Sequence, residues 1–146
     1  MFAQLLNRLT QPEPEPLHDG DARLALTALL VRVAKADGDY DAGERARILS
    51  IAAKRYGLSP FEAQALVKDA ETLESEAPDT VRFTRAIKDA VPYEDRMGVI
   101  EALWSVVLAD GIRDDEENAL LRLVANLLGV NDRDSAIARQ AAEKAG

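Results

Sequence analysis

The sequence predicts an all-α fold, a bundle of seven or eight helices built around two similar helical hairpins. From Asp21 onward the apolar residues recur at helical spacing, and no stretch alternates apolar and polar residues as a strand does. One acidic segment occurs twice, and the helices around it are alike in both places. At 146 residues, the chain is long enough for one domain to bury a core without cross-links.

Composition excludes several functional classes. With no cysteine and one histidine, the chain cannot form a disulfide scaffold, a thiolate-bound metal site, a cysteine nucleophile or a three-histidine zinc site. The 18 Lys and Arg against 26 Asp and Glu give a net charge of −8, which disfavours nucleic acid as a partner. No apolar run approaches the roughly 20 residues of a membrane span, and residues 1–10 lack the cleavage site of a secretory signal. We therefore expect a cytoplasmic protein with no integral membrane segment.

Residues 1–16 are predicted to be a short amphipathic segment and a linker, followed by a single domain over residues 17–146. Proline at every second position of residues 11–16 prevents a helix or a central strand there. The segment before it is expected to pack on its own domain or on a neighbouring copy, since a single Arg8 offers little attraction to a membrane surface. Its apolar residues share one helical face: Phe2, Leu5, Leu6 and Leu9.

Three helices are predicted in the first half of the domain. Residues 22–36 are apolar on almost every side, so this helix should be central. Residues 41–56 form an amphipathic helix that ends at Gly57. A capping box at Ser59, with proline at the first helical position, begins the third helix, which should run to about Glu74.

Four further helices are predicted in the second half. A short helix over residues 80–90 buries Phe83. The helix over residues 93–109 has one narrow polar stripe and should be central like the first. Residues 114–128 are amphipathic and end at Gly129, and the last helix, over residues 132–144, consists mostly of alanine and charged residues.

The strongest regularity is the motif A-D-G-x-x-D-x-x-E, which occurs at residues 36–44 and 109–117. The apolar positions of the helices before and after each copy also align. Two copies of helix, acidic turn and helix predict two similar hairpins packed around one core.

The negative charge of the chain is concentrated in these two turns. Residues 37–44 contain four acidic residues, and residues 110–117 contain five acidic residues and one arginine, which together account for the net charge of −8. The rest of the chain is neutral overall. A surface that served only for solubility would spread its charge more evenly.

One interpretation of the acidic residues is helix capping. Asp41 and Asp114 stand at N-cap positions, and Glu44 and Glu117 follow them at capping-box spacing. Acidic residues in a first helical turn also interact favourably with the helix dipole. These four residues are therefore explained equally well without a ligand.

Capping explains the first acidic residue of each copy less well. Asp37 and Asp110 stand at the C-terminal ends of their helices, where a carboxylate opposes the helix dipole. The hypothesis is that each turn presents three carboxylates to a hard divalent cation, completed by carbonyls, water or the other turn. The candidate ligands are Asp37, Asp41, Glu44, Asp110, Asp114 and Glu117, with Gly38 and Gly111 as the turn glycines.

The EF-hand does not fit these turns. Ala42 stands where its loop requires glycine, and Ile48 stands where it requires a bidentate glutamate. Any metal site here has another geometry.

Two basic residues, Arg32 and Lys35, precede the first turn. As cations near a helix C-terminus they interact favourably with the helix dipole. Ion pairs with the acidic turn are the alternative.

The chain resembles the TerB family, the tellurite-resistance protein B type of domain, which also occurs in some membrane-anchored DnaJ-like co-chaperones. The family pattern of a hydrophobic helix followed by A-D-G and a glutamate that opens the next helix appears at residues 36–44 and 109–117, and the resemblance covers about residues 18–130. The resemblance implies an all-helical domain with an acidic cluster suspected of binding divalent cations, and no established reaction. This sequence shows no J-domain, so a co-chaperone role is not implied.

The sequence favours a non-enzymatic function, because it has no phosphate-binding loop, no nucleophile elbow and no H-E-x-x-H motif. One possible function is a stress-response domain of the tellurite-resistance type that binds Ca²⁺, Mg²⁺, Mn²⁺ or Zn²⁺, with no organic cofactor. The alternative is a protein-interaction module whose acidic turns cap helices and dock a basic protein partner, with apolar rows available for a homo-oligomer.

Overall fold

In the computed structural model, the described residues are 3–9, 19–35, 40–77, 79–109 and 115–145. They contain eight helices and no strand, which confirms the all-α prediction. The predicted bounds agree with the structure to within two residues, except that the second helix begins three residues earlier, at Asp19. The helices are α1 (Ala3–Leu9), α2 (Asp19–Ala34), α3 (Ala42–Tyr56), α4 (Pro60–Glu76), α5 (Thr80–Ala90), α6 (Tyr93–Ala109), α7 (Asp115–Leu127) and α8 (Asp132–Ala145).

The third and seventh helices end in the same way. Gly57 and Gly129 follow them with φ of 64° and 75°, a left-handed conformation that glycine adopts at little cost. The N–H of the residue after each glycine donates to the carbonyl five residues earlier, at 2.9 Å in both places. This hydrogen bond belongs to the Schellman motif, and the chain leaves both helices along the same path.

The helices that follow begin alike as well. Ser59 and Glu62 form the predicted capping box of α4, in which Glu62 Oε1 accepts from the Ser59 N–H at 3.0 Å. Hydrogen bonds from Ser59 lower the pKa of Glu62. At the start of α8, Asn131 Oδ1 accepts from the Asp134 N–H at 2.8 Å. Both starts therefore have a side-chain cap at the equivalent position.

The core is centred on α2 and α6, as their sequences predict. Every apolar residue of α2 is buried, and so is Thr27, whose hydroxyl donates to the Arg23 carbonyl at 2.7 Å. The described apolar side chains of α6 are buried except for Tyr93 at its exposed start and the half-buried Met97. The two helices pack against each other, and each makes its most extensive contact with a further helix, α2 with α4 and α6 with α8.

The repeated unit is larger than the predicted hairpin. Helix α2 packs on α3 and α4 as α6 packs on α7 and α8, and the cross-contacts of α2 with α7 match those of α6 with α3. Two related units of three helices therefore face each other, with α5 between them in the chain. The sequence showed only two helices of each unit because α4 and α8 share their caps and little else.

The directions of the helices distinguish two ends of the bundle. At one end, which we call the cleft end, Ala22 near the start of α2, Tyr56 at the end of α3 and Asp95 near the start of α6 line a common cleft. At the other, the turn end, Arg32 near the end of α2 contacts Glu74 near the end of α4. Helices α2 and α6 begin at the same cleft and pack together, so both run toward the turn end.

The first helix packs within the protein. Leu5 and Leu9 are buried in the core, and α1 contacts α5. No helix in the described part of the chain has the length and apolar character needed to cross a membrane.

Candidate functional site in the acidic turns

The structure describes the side chains of two predicted site residues, Asp41 and Glu44. Glu117 lies in the first turn of α7, and its side chain is outside the described part. Within the described residues, no group of three or more His, Asp or Glu side chains is arranged to hold a metal ion. The metal site stays a prediction, because most of its residues lie wholly outside the described residues: Asp37, Gly38, Asp110, Gly111 and Asp114.

Asp41 caps α3, as the capping interpretation predicts. Its backbone is extended, with φ of −89° and ψ of 176°, and its Oδ1 accepts from the Glu44 N–H at 2.8 Å. The side chain is otherwise exposed at the surface. The cap engages one of the two carboxylate oxygens, so a role in binding a cation is compatible with it.

Glu44 is oriented differently from a reciprocal capping residue. In α4 the capping glutamate bonds back to the N-cap backbone, and it is exposed to solvent. In α3 the Asp41 carboxylate accepts from the Glu44 N–H, but the Glu44 side chain does not bond back to the Asp41 backbone. Glu44 is 8% exposed. The capping-box prediction is therefore half right at this turn. A buried carboxylate needs a compensating partner, so the burial of Glu44 constrains the local structure more than an exposed capping residue does.

The residues on either side of the first turn both interact with α4. Lys35 Nζ lies 3.4 Å from Glu74 Oε1 and 5.8 Å from the centre of the Tyr40 ring. Burial and the neighbouring Glu71 carboxylate raise the pKa of Tyr40 well above its usual value. Lys35, just before the first turn, and Tyr40, within it, therefore both interact with α4.

Glu74 is the focus of the contacts at the turn end. It is 7% exposed, and its Oε1 lies 3.8 Å from Arg32 Nε. Arg32 also donates to the Glu74 carbonyl at 3.1 Å and to the Thr80 hydroxyl at 3.3 Å. In the ion pairs that the structure describes, Arg32 and Lys35 therefore contact α4, where the sequence alone suggested the helix dipole or the acidic turn.

Arg45, the basic residue at the start of α3, forms a second ion pair with α4. Arg45 Nε lies 3.2 Å from both carboxylate oxygens of Glu71. Sequence reasoning missed Glu71 and Glu74. The available signal was that Glu74 adjoins the apolar row of Val67, Ala70 and Leu73 on the buried face of α4.

The second unit lacks these basic residues. Neutral residues, Ser105 and Asn118, stand 73 positions after Arg32 and Arg45. The Ser105 hydroxyl donates to the carbonyl of Glu101 in its own helix, at 3.2 Å. The two turns therefore share a motif and differ in the charges around them.

Fold and motif together define a class of protein, an all-helical domain of two related three-helix units with an acidic turn in each. The family model described as "Tellurite resistance protein TerB" matches residues 23–140. The chain belongs to the TerB family, as its resemblance implied. Neither the curated proteins nor the solved structures compared with it gave a match.

Proposed function

We propose that this TerB domain is non-catalytic and binds a divalent cation through the carboxylates of its two acidic turns. The residues that would hold the cation are Asp37, Asp41, Glu44, Asp110, Asp114 and Glu117. The bound cation would offset the repulsion among these carboxylates and tie the starts of α3 and α7 to the ends of α2 and α6. A cytoplasmic location is part of the proposal and is tested by fractionating cells that express the chain.

The observation that carries the proposal is the common direction of α2 and α6. Both helices begin at the cleft end and pack against each other, which supports a site that the two turns form together. A site shared between two turns requires this arrangement. Each turn alone offers three carboxylates from the motif, fewer than the six to eight oxygen ligands that Ca²⁺ prefers.

The ion pairs of α4 give further support. Three basic residues near the first turn have described ion pairs. Arg32 and Lys35 pair with Glu74, and Arg45 pairs with Glu71. These partners compensate the basic residues, so the negative charge of the turn is left to attract a cation from solution.

The donor set indicates which cations fit. All six candidate ligands are carboxylates, which are hard oxygen donors suited to Ca²⁺, Mg²⁺ and Mn²⁺. Zn²⁺ generally takes nitrogen and sulfur ligands in addition. We expect Zn²⁺ to be the weakest fit of the four cations.

Calorimetric titration of the full chain with Ca²⁺, Mg²⁺, Mn²⁺ and Zn²⁺ tests the proposal. We expect saturable binding of at least one cation, and a loss of at least about tenfold in affinity in Asp37→Asn and in Asp110→Asn, which corresponds to about 1.4 kcal/mol. The matched control is Asp69→Asn, which removes the same charge from an exposed position on α4. Far-UV circular dichroism establishes that each variant is folded.

Two results would overturn the cation proposal: no saturable heat with any of the four ions, or equal weakening by Asp69→Asn and the turn variants. Either result would favour the alternative function, a protein-interaction module that presents the acidic turns to a basic partner. The use of Asp41 as an N-cap fits that alternative, in which the acidic turns also cap helices. A basic partner would still lose affinity in the turn variants, with or without a cation.

A further inference from the structure

The cleft at the opposite end of the bundle has features of a binding site of its own. It has a volume of about 220 Å³, and it lies where the starts of α2 and α6 meet the end of α3. Drug-sized ligands occupy pockets of about 300–1,000 Å³, so this cleft fits a smaller species. Its lining residues are Ala22, Arg23, Leu26, Arg55, Tyr56 and Asp95.

Two arginines converge on one aromatic ring in this cleft. The guanidinium carbon of Arg23 lies 4.8 Å from the centre of the Tyr56 ring, and that of Arg55 lies 5.8 Å from it. Burial raises the pKa of Tyr56, so at neutral pH the phenol carries no charge that would balance them. Two like charges therefore lie beside one ring, that of Arg23 on a half-buried side chain and that of Arg55 on an exposed one.

Among the described residues, neither arginine has a carboxylate within ion-pair distance. The Nε of Arg23 is buried and has no hydrogen-bond acceptor in the described part of the chain. Asp95 lines the cleft without an ion pair to either arginine. The Glu62 carboxylate accepts from the Ser59 N–H and interacts with Arg23 only at a distance longer than an ion pair.

The position of Arg55 depends on Gly98. A Cβ at position 98 would overlap the Arg55 guanidinium, so the missing side chain lets this group lie against α6. Glycine in a helix interior is unfavourable compared with alanine, which makes its presence here informative. The glycine leaves room for a guanidinium beside the cleft.

We propose that this cleft binds a small oxyanion, of the size and charge of inorganic phosphate, between Arg23 and Arg55. Guanidinium groups present donors in a planar fork that matches the oxygens of such ions. An oxyanion in the cleft would accept hydrogen bonds from the guanidinium groups of Arg23 and Arg55 and balance their positive charge. The site is independent of the cation site proposed at the turn end.

Titration of the isotope-labelled full chain with sodium phosphate, followed by amide chemical shifts at constant pH and ionic strength, tests this proposal. We expect saturable shifts confined to the lining residues, at least tenfold weaker binding in Arg55→Gln, and tighter binding in Asp95→Asn, because the latter removes the one carboxylate of the lining. The matched control is Arg47→Gln, an exposed arginine in the same helix, which should bind like the unmodified protein.

Repeating the titration with sodium tellurite, the oxyanion that gives the family its name, distinguishes the ions that share this chemistry. Saturable binding of either ion that depends on Arg55 supports the site, and the ion bound more tightly identifies its preference. The proposal is wrong if the shifts grow linearly without saturation, or if Arg55→Gln and Arg47→Gln behave alike. A correctly folded Asp95→Asn variant with weaker binding would also contradict it.

Discussion

Glu74 is the residue on which the polar contacts of the turn end depend. Glu74 is 7% exposed, and its carboxylate lies within ion-pair distance of Arg32 near the end of α2 and of Lys35 just after it. A buried, charged carboxylate is stable only when cationic side chains compensate its charge.

We expect Glu74→Gln to lower the free energy of unfolding by about 2 kcal/mol, because an amide of the same shape keeps the packing and loses the charge-assisted contacts. The Lys35 side chain is 40% exposed, so solvent screening keeps the loss below that of a fully buried pair. Urea denaturation measures the change. The control Asp69→Asn, at an exposed position on the same helix, should change stability by less than about 0.5 kcal/mol. Equal effects of the two variants would show that Glu74 has no special role.

Residue-level prediction from the sequence succeeded where the chemistry is local. Asp41 caps α3 as its position before a helical pattern indicates, since a cap involves residues three positions apart. Glu74 pairs with residues about 40 positions away in the chain, and no local pattern specifies such a partner. The burial of Glu44 was missed for the same reason, because it depends on what packs over the helix.

At the scale of the helices, the third helix of each unit begins at an equivalent cap. Ser59 accepts from the Glu62 N–H at 3.2 Å, and Asn131 accepts from the Asp134 N–H at 2.8 Å. Both caps stand two residues after a glycine in the left-handed conformation, so the turn and the cap have the same geometry in the two units.

We expect Ser59→Ala and Asn131→Ala to destabilise the protein by similar amounts, about 1 kcal/mol each, because each leaves one helix N–H without its acceptor. Thermal denaturation monitored by circular dichroism measures both. Replacing each cap by aspartate provides the control, since aspartate also caps and should restore most of the loss. A large effect at one cap and none at the other would indicate that the two starts are not equivalent.

The helices were predictable because each has apolar residues at helical spacing and most have recognisable capping residues at their ends. Helix α5 matches its predicted bounds, with Phe83 buried as expected. The inclusion of α4 and α8 in the repeated unit was not predictable from sequence similarity. It follows from how α2 and α6 each use a whole face to pack on these helices.

For the whole molecule, the contact between α2 and α6 decides whether the two units unfold together. Each of these helices is buried on nearly all sides, and each supplies part of the other's surroundings. Separation of the units would expose apolar surface of both helices to water.

We expect one cooperative unfolding transition. Trp104 is the single tryptophan of the chain and lies in the second unit, where its Nε1 donates to the Ser135 hydroxyl at 3.2 Å. Its fluorescence reports on that unit, whereas far-UV circular dichroism reports on all the helices. The two signals should change at the same urea concentration, as two-state unfolding requires. Separate midpoints would show that the units are independent domains.

The ion pairs on α4 lie beside the first acidic turn, and among the described residues none has a counterpart beside the second turn, where the sequence has Ser105 and Asn118. Internal duplication has therefore produced two units with the same order of helices and different polar contacts. A substitution that breaks an ion pair of α4 therefore alters the polar contacts of the first unit and leaves those of its counterpart as they are.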